Sequence, residues 1–255
     1  MQRFLISLIA LVAFSSSAFA EGGFKEFWKS IDWEFNVNAG TNIGGASPLP
    51  IPAEIRKINS FNPKLQLQLG AGVIAWMGEK KRWGVGVGVR VETKGMETNA
   101  TVKNYGMSIL QDGRELSGRW TGRVVTTYHS QQLVIPIVGV YKFNRRWKMN
   151  FGPFLSYAFS NDFYGHVYDG YLREGDPTGQ KVVFEDGAKA SYDFGENLRD
   201  FQWGMQVGAS WRAYRNFEIN ANLTWGCNSV FKSDFHTITF NMYPIYVNLG
   251  FGYIF

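Results

Sequence analysis

The sequence predicts an all-β fold, an eight-stranded antiparallel transmembrane β-barrel with short periplasmic turns and long extracellular loops. Three observations carry this expectation. Apolar residues recur with period two along seven segments, and an eighth segment is continuously apolar. The face opposite the Trp, Phe, Leu, Val and Ile side chains holds Gly, Asn, Gln, Ser and charges of both signs, which suits a narrow hydrogen-bonded interior with lipid outside. Short and long connections alternate along the chain, as they do when one barrel end faces the periplasm and the other the exterior.

Residues 1–20 read as a secretory signal peptide. Arg3 supplies the positive charge, Phe4 to Phe14 an apolar core too short for a membrane helix, and Ala18-Phe19-Ala20 the small-residue cleavage site. Residues 21–30 form an N-terminal linker and residues 31–255 the barrel. The formal charge of +5 falls by one when Arg3 is removed, and the remaining excess is scattered over turns, so no nucleic-acid partner is expected. Cys227 is the single cysteine, which excludes an intramolecular disulfide and a cysteine-based metal cluster. A lone thiol in an oxidising compartment is expected to be packed out of reach.

The first strand alternates Ile31, Trp33, Phe35, Val37 and Ala39 with Asp32, Glu34, Asn36 and Asn38. The second sets Leu65 to Val73 against Gln66, Gln68, Gly70 and Gly72, and the third sets Val85 to Val91 against Gly84, Gly86, Gly88, Arg90 and Glu92. That Gly run is a strand with no helix after it and therefore no phosphate loop; its glycines make room for bulky neighbours inside. The fourth strand, Leu133 to Tyr141, is apolar on both faces through Val134, Val138 and Val140. The fifth runs from Trp147 to Tyr157, the sixth from Phe201 to Trp211, the seventh from Phe217 to Trp225 and the last from Tyr243 to Phe255.

Short turns are expected at 78–81, 144–146 and 213–216, and long loops at 41–62, 95–123 and 161–199, with a moderate one at 227–234. Pro136, Pro153 and Pro244 each remove a ladder hydrogen bond, so bulges or wall sections beyond the hydrocarbon are expected there. With eight strands the interior is nearly filled by side chains. The lumen-facing polar network is expected to comprise Glu34, Arg90, Glu92, Lys148, Arg212 and Glu218. The terminal aromatics Phe251, Tyr253 and Phe255 match the kind of ending by which outer-membrane barrels engage the barrel assembly machinery.

The run Gln132-Leu133-Val134-Ile135-Pro136, then Val140-Tyr141-Lys142-Phe143, then Asn150-Phe151-Gly152-Pro153-Phe154-Leu155-Ser156-Tyr157 resembles the PorT-like outer-membrane β-barrel family of Bacteroidetes. Phe201 to Arg212 and Leu223 to Phe255 are similar to the closing strands of that family. The resemblance implies an outer-membrane barrel and an association with an envelope or secretion complex; it names no activity, and the 161–199 loop has no counterpart in that machinery.

Chemistry has little support in the sequence. Ser160, Asp162 and His166 are close in sequence, as a rim-located lipid-modifying enzyme needs, but no nucleophile motif surrounds Ser160. Residues 161–198 carry eight acidic and three basic side chains, an oxygen-rich set whose spacing matches no ordered calcium loop. No cofactor, metal site or catalytic residue is assigned. Phe163, Tyr164, Tyr168 and Tyr171 in the same loop are candidate contacts for a protein or glycan, or else members of a hairpin turning near Asp169-Gly170 that extends the wall. The reading that follows is a structural or protein-interaction barrel in the outer membrane of a Gram-negative bacterium. Its termini are periplasmic, and lipid and envelope proteins are its partners. The alternatives are a narrow solute channel and the rim enzyme.

Overall fold

Alternation along the chain becomes a closed wall in the computed structural model, which describes residues 31–111 and 114–255, without the side chains of residues 111, 185 and 186. The expectations for residues 1–30 lie outside the described residues. Among the described residues there are ten strands: β1 (Asp32–Pro48), β2 (Ile55–Asn62), β3 (Leu67–Met77), β4 (Trp83–Gln111), β5 (Arg114–Lys142), β6 (Trp147–Glu174), β7 (Lys181–Asp193), β8 (Phe201–Tyr214), β9 (Phe217–Gly226) and β10 (Met242–Ile254). Antiparallel pairing runs β4-β3-β1-β10-β9-β8-β6-β5, and β5 returns to β4, so eight strands form the ring. These eight are the strands the periodicity predicts. β2 pairs with β4 alone, and β7 pairs with β6 and, at one position, β4. The short connections lie at one end, where β1 starts and β10 finishes, as the pairs Asp32 with Trp76 and Asn36 with Ile254 require.

Every ring strand turns its greasy face outward. Trp33, Phe35, Leu67, Leu69, Val85, Val87, Val89, Val91, Phe151, Trp203, Ile219 and Phe251 are exposed, while Glu34, Gln68, Arg90, Glu92, Lys148, Gln206, Glu218 and Asn248 are buried inside. Such a distribution is stable only when hydrocarbon surrounds the wall. Gly84 and Gly86 face inward where an added Cβ would meet Trp76 and Ile74, and Val138, respectively, at 2.9–3.1 Å, so they admit those bulky neighbours. Inward Val138 and Val140 join Ile74 and Trp76 in a small apolar cluster. This explains the fourth predicted strand: its second apolar face packs on the lumen-side Trp76.

Above this band the polarity inverts. Outward residues of β4 change from Val85, Val87, Val89 and Val91 to Thr93, Glu97, Asn99, Thr101 and Lys103, while inward ones change from Arg90, Glu92 and Lys94 to Met96, Ala100 and Val102. The same strand is inside-out where lipid surrounds it and conventionally cored where water does, because each solvent selects its own exterior. Met96, Val102, Trp120, Val124, Tyr128, Phe163, Val167, Leu172, Phe184 and Tyr192 build a second core in this projecting crown.

Four expectations are corrected. The stretch 95–123 is not a loop: β4 and β5 are 29 residues each and stay paired up to Gln111 with Arg114. Likewise 161–199 is mostly β6 and β7, whose chain reverses at 175–180, while Asp169 (φ 49°) sits beside a register shift rather than at the turn. Backbone groups that leave the barrel end must be paired somewhere, and continuing the ladder achieves this. Pro136 and Pro153 cause no bulge: register continues unchanged from Val87–Ile137 to Arg90–Val134 and from Pro136–Phe154 to Gly139–Phe151, with the ladder merely skipping positions between, whereas Pro244 stands opposite Ala46 of the crown core, above the lipid-facing band. Cys227 is exposed rather than packed away, because it follows outward Trp225 and inward Gly226 in phase.

Candidate functional site

The period-two face of β1, β5, β6, β8 and β9 brings five charges of the lumen together. Lys148 Nζ donates to Glu34 Oε1 at 2.7 Å and lies 2.9 Å from Glu218 Oε2. Arg212 stands 3.7 Å from Glu34 and 4.0 Å from Glu218, and Lys142 is 3.9 Å from Glu34. Trp76 Nε1 donates to Glu34 Oε2 at 3.2 Å, and the Lys142 ammonium sits 3.8 Å above the Trp76 ring. Two carboxylates and three cations thus close the lumen near the short-turn end.

A second cluster lies at the other end of the lipid band. Lys94 Nζ is 2.9 Å from Glu92, whose other oxygen is 3.7 Å from Arg90 Nε, and Arg90 donates to Gln206 at 3.2 Å. The Lys94 ammonium lies 5.5 Å from the Phe154 ring centre and 5.4 Å from that of Tyr246. Between the clusters is a cavity of about 130 Å³, lined by amides such as Asn36, Asn150 and Asn222, by glycines and valines, and by the charged Arg90, Lys148 and Glu218. It has room for a few waters.

All six residues expected on the lumen side therefore take part in ion pairs, split between two clusters rather than joined in one network. Lys94 and Lys142 belong to these clusters and were not anticipated. Their signal was present: Lys94 continues the even-numbered phase of Arg90 and Glu92, and Lys142 that of Val138 and Val140. The expected strands stopped one or two residues short of them.

The aromatic contacts expected in the 161–199 segment divide. Tyr164 is 49% exposed, whereas Phe163 is 2% exposed and packs against Tyr128, Phe194 and Phe231. The cause is a register shift where Ser160 faces Gln131 and Ala158 faces Gln132, which leaves Phe159 as an extra residue and reverses the inward phase of β6. Tyr168 accepts a hydrogen bond from Asn99 at 2.8 Å and lies under Arg123; Tyr171 lies 4.4 Å from the Lys181 ammonium and 5.7 Å from the Arg173 guanidinium. Tyr164, Tyr168 and Tyr171 thus stand on the outer wall of the crown, the last two among basic side chains.

Ser160, Asp162 and His166 do not assemble. All three lie on β6, where six residues of strand separate Ser160 from His166 by roughly 20 Å. Asp162 instead faces His129, 3.8 Å away. Burial, with Lys189 nearby, holds the His166 imidazole below its ordinary value. Among the described residues no group of three or more His, Cys, Asp or Glu is placed to hold a metal. Phe251, Tyr253 and Phe255 all point outward at the β10 end.

A family model described as outer membrane protein beta-barrel domain matches residues 17–232, and the chain belongs to that family. No curated protein matches the sequence. Solved structures it is similar to include Ail, the attachment invasion locus protein of Yersinia pestis, at 12% identity over 88% of this chain and 99% of that one, with a TM-score of 0.39. They also include OprG from Pseudomonas aeruginosa (10% identity, 88% and 97% covered, TM-score 0.37) and Neisserial surface protein A (12%, 88% and 97%, 0.32).

Proposed function

We propose that this outer-membrane β-barrel is a structural or protein-interaction component of the cell envelope, a closed anchor that displays its crown to a partner. The carrying observation is the crown itself. β4, β5 and β6 run far past the lipid-facing band, pack their own apolar core, and hold Tyr168 beside Arg123 and Tyr171 beside Arg173 and Lys181 on a rigid outer wall, with Tyr164 exposed on the same strand. Tyr and Arg in that arrangement are the side chains that most often anchor protein interfaces. In this reading the short turns and both termini are periplasmic, and the crown is outside a Gram-negative cell. Phe251, Tyr253 and Phe255 engage the assembly machinery. The stretches Gln132–Pro136 and Asn150–Tyr157 support a PorT-like, Bacteroidetes affiliation and hence a place in an envelope or secretion complex.

Two charge clusters at the ends of a cavity of about 130 Å³ speak against a solute channel. Mild-detergent co-purification from the native envelope tests the proposal: a stoichiometric partner lost on Tyr168→Ala with Tyr171→Ala is expected. Sustained open steps in planar bilayers, with no partner recovered, overturn it.

A further inference from the structure

The barrel wall has a seam. β1 pairs with β3 only as far as Thr41 with Leu67, the Asn42 N–H still donates to the Gln66 carbonyl at 3.1 Å, and from Ile43 to Pro48 the strand pairs with β10 alone. β2 descends in line with β3 but pairs only with β4, from Ile55 with Val102 to Asn62 with Glu97. Among the described residues no backbone pairing joins the upper half of β1 to β2. Pro63 and Lys64 (φ 35°) mark the break between β2 and β3, and Gln66 bridges it by donating to the Pro63 and Gly95 carbonyls.

Behind the seam lies a cavity of about 390 Å³. Ile55, Ile58, Met96, Val102, Phe163 and Met242 are typical of its lining, which includes no charged side chain. Ile58 and Phe61 face this cavity yet stay 54% and 49% exposed, as a filled core does not allow. Outside the seam, Ile43, Leu49, Ile51, Leu65 and Leu67 are exposed as well. The exterior of neighbouring β4 turns polar from Thr93 to Lys103; at the seam an apolar path climbs from the lipid-facing band to the mouth of the cavity. An uncharged site reached from the lipid side selects a hydrocarbon chain whose polar head stays outside.

We propose that this seam cavity binds the single alkyl chain of an amphiphile. Allowing about 30 Å³ per methylene, close to the liquid volume of one water, its capacity is roughly a dozen carbons. The site is independent of the partner surface proposed above, which lies on β5, β6 and β7.

The test uses the full mature chain exchanged from detergent into amphipol, with the neutral fluorescent probe 1-aminoanthracene and alkyl carboxylates of eight to sixteen carbons as competitors. Saturable one-site binding is expected. Competitor affinity should rise about fourfold per methylene and then level off near the cavity's capacity. Ala100→Trp fills the cavity and Ile58→Glu places a charge at its mouth; each should weaken binding at least tenfold, with Val183→Glu as an unaffected control. Because Ile58 is half exposed, that variant should retain the heat-modifiable gel shift of the folded barrel.

Repetition in lipid nanodiscs separates the sources of the chain. A reduced probe signal there identifies a leaflet lipid as occupant, and an unchanged signal a free amphiphile. The proposal fails if affinity climbs with chain length without a limit, as for simple partition, or if Ile58→Glu, folded, binds as the native protein does.

Discussion

Lys148 gives the sharpest test of the lumen. Its ammonium lies 2.7 Å from Glu34 and 2.9 Å from Glu218, with 9% of the side chain exposed. At an effective dielectric of about 20 each contact has a gross attraction of about 6 kcal/mol, most of it offset by desolvation of the three ions. Replacement by methionine preserves the volume but leaves two buried carboxylates facing each other. Removing one partner of a buried pair costs about 3–5 kcal/mol, and Arg212 and Lys142 within 4.0 Å of Glu34 hold the expected loss near the lower end, about 3 kcal/mol. The double replacement Lys148→Met, Glu218→Gln should recover most of it, because the remaining carboxylate, Glu34, keeps Arg212 and Lys142 as partners and the net charge of the cluster is unchanged. The assay is urea unfolding in phospholipid vesicles, followed by tryptophan fluorescence and by loss of the heat-modifiable gel shift. A Lys148→Met variant within about 0.5 kcal/mol of the native protein would refute a dry, tightly paired cluster.

Further outcomes are expected elsewhere. Phe163→Ala should destabilise the crown by about 3–5 kcal/mol and Tyr164→Ala by less than about 0.5, read as protease sensitivity of the crown while the barrel's gel shift persists. Tyr246→Phe should be neutral or stabilise by about 1 kcal/mol in urea unfolding, since the buried hydroxyl has no hydrogen-bond partner among the described residues. The His166 imidazole should titrate below 6.5 by NMR, and Lys189→Ala should raise its midpoint by removing a nearby positive charge. Because the folded value lies below the unfolded one, His166 lends the crown its full contribution above about pH 6.5. That contribution is lost as pH falls through the folded value.

Much of the candidate site was legible because the code for it is local. Glu34, Arg90, Glu92, Lys148, Arg212 and Glu218 all sit in phase with Gly, Asn or Gln neighbours, and period two sends them to one face whatever the partner strand is. Phe163 shows where this reasoning stops. One extra residue at Phe159 reverses the phase, and nothing in the local sequence distinguishes Phe163 inside from Tyr164 outside. Lys94 and Lys142 were missed for a related reason: strand ends depend on which partner continues the ladder, and β4 continues because β5 does.

By itself, then, the sequence determined eight strands, their inner and outer faces, and the end at which the short turns gather. These follow from alternation and turn spacing, which are properties of neighbouring residues. Tertiary structure alone decided that the supposed loops are wall, that the six lumen charges form two clusters, and that β1 and β2 part to leave a seam. Each of these rests on pairing between residues far apart in the chain, where register and surrounding solvent, rather than local pattern, select the lowest free energy.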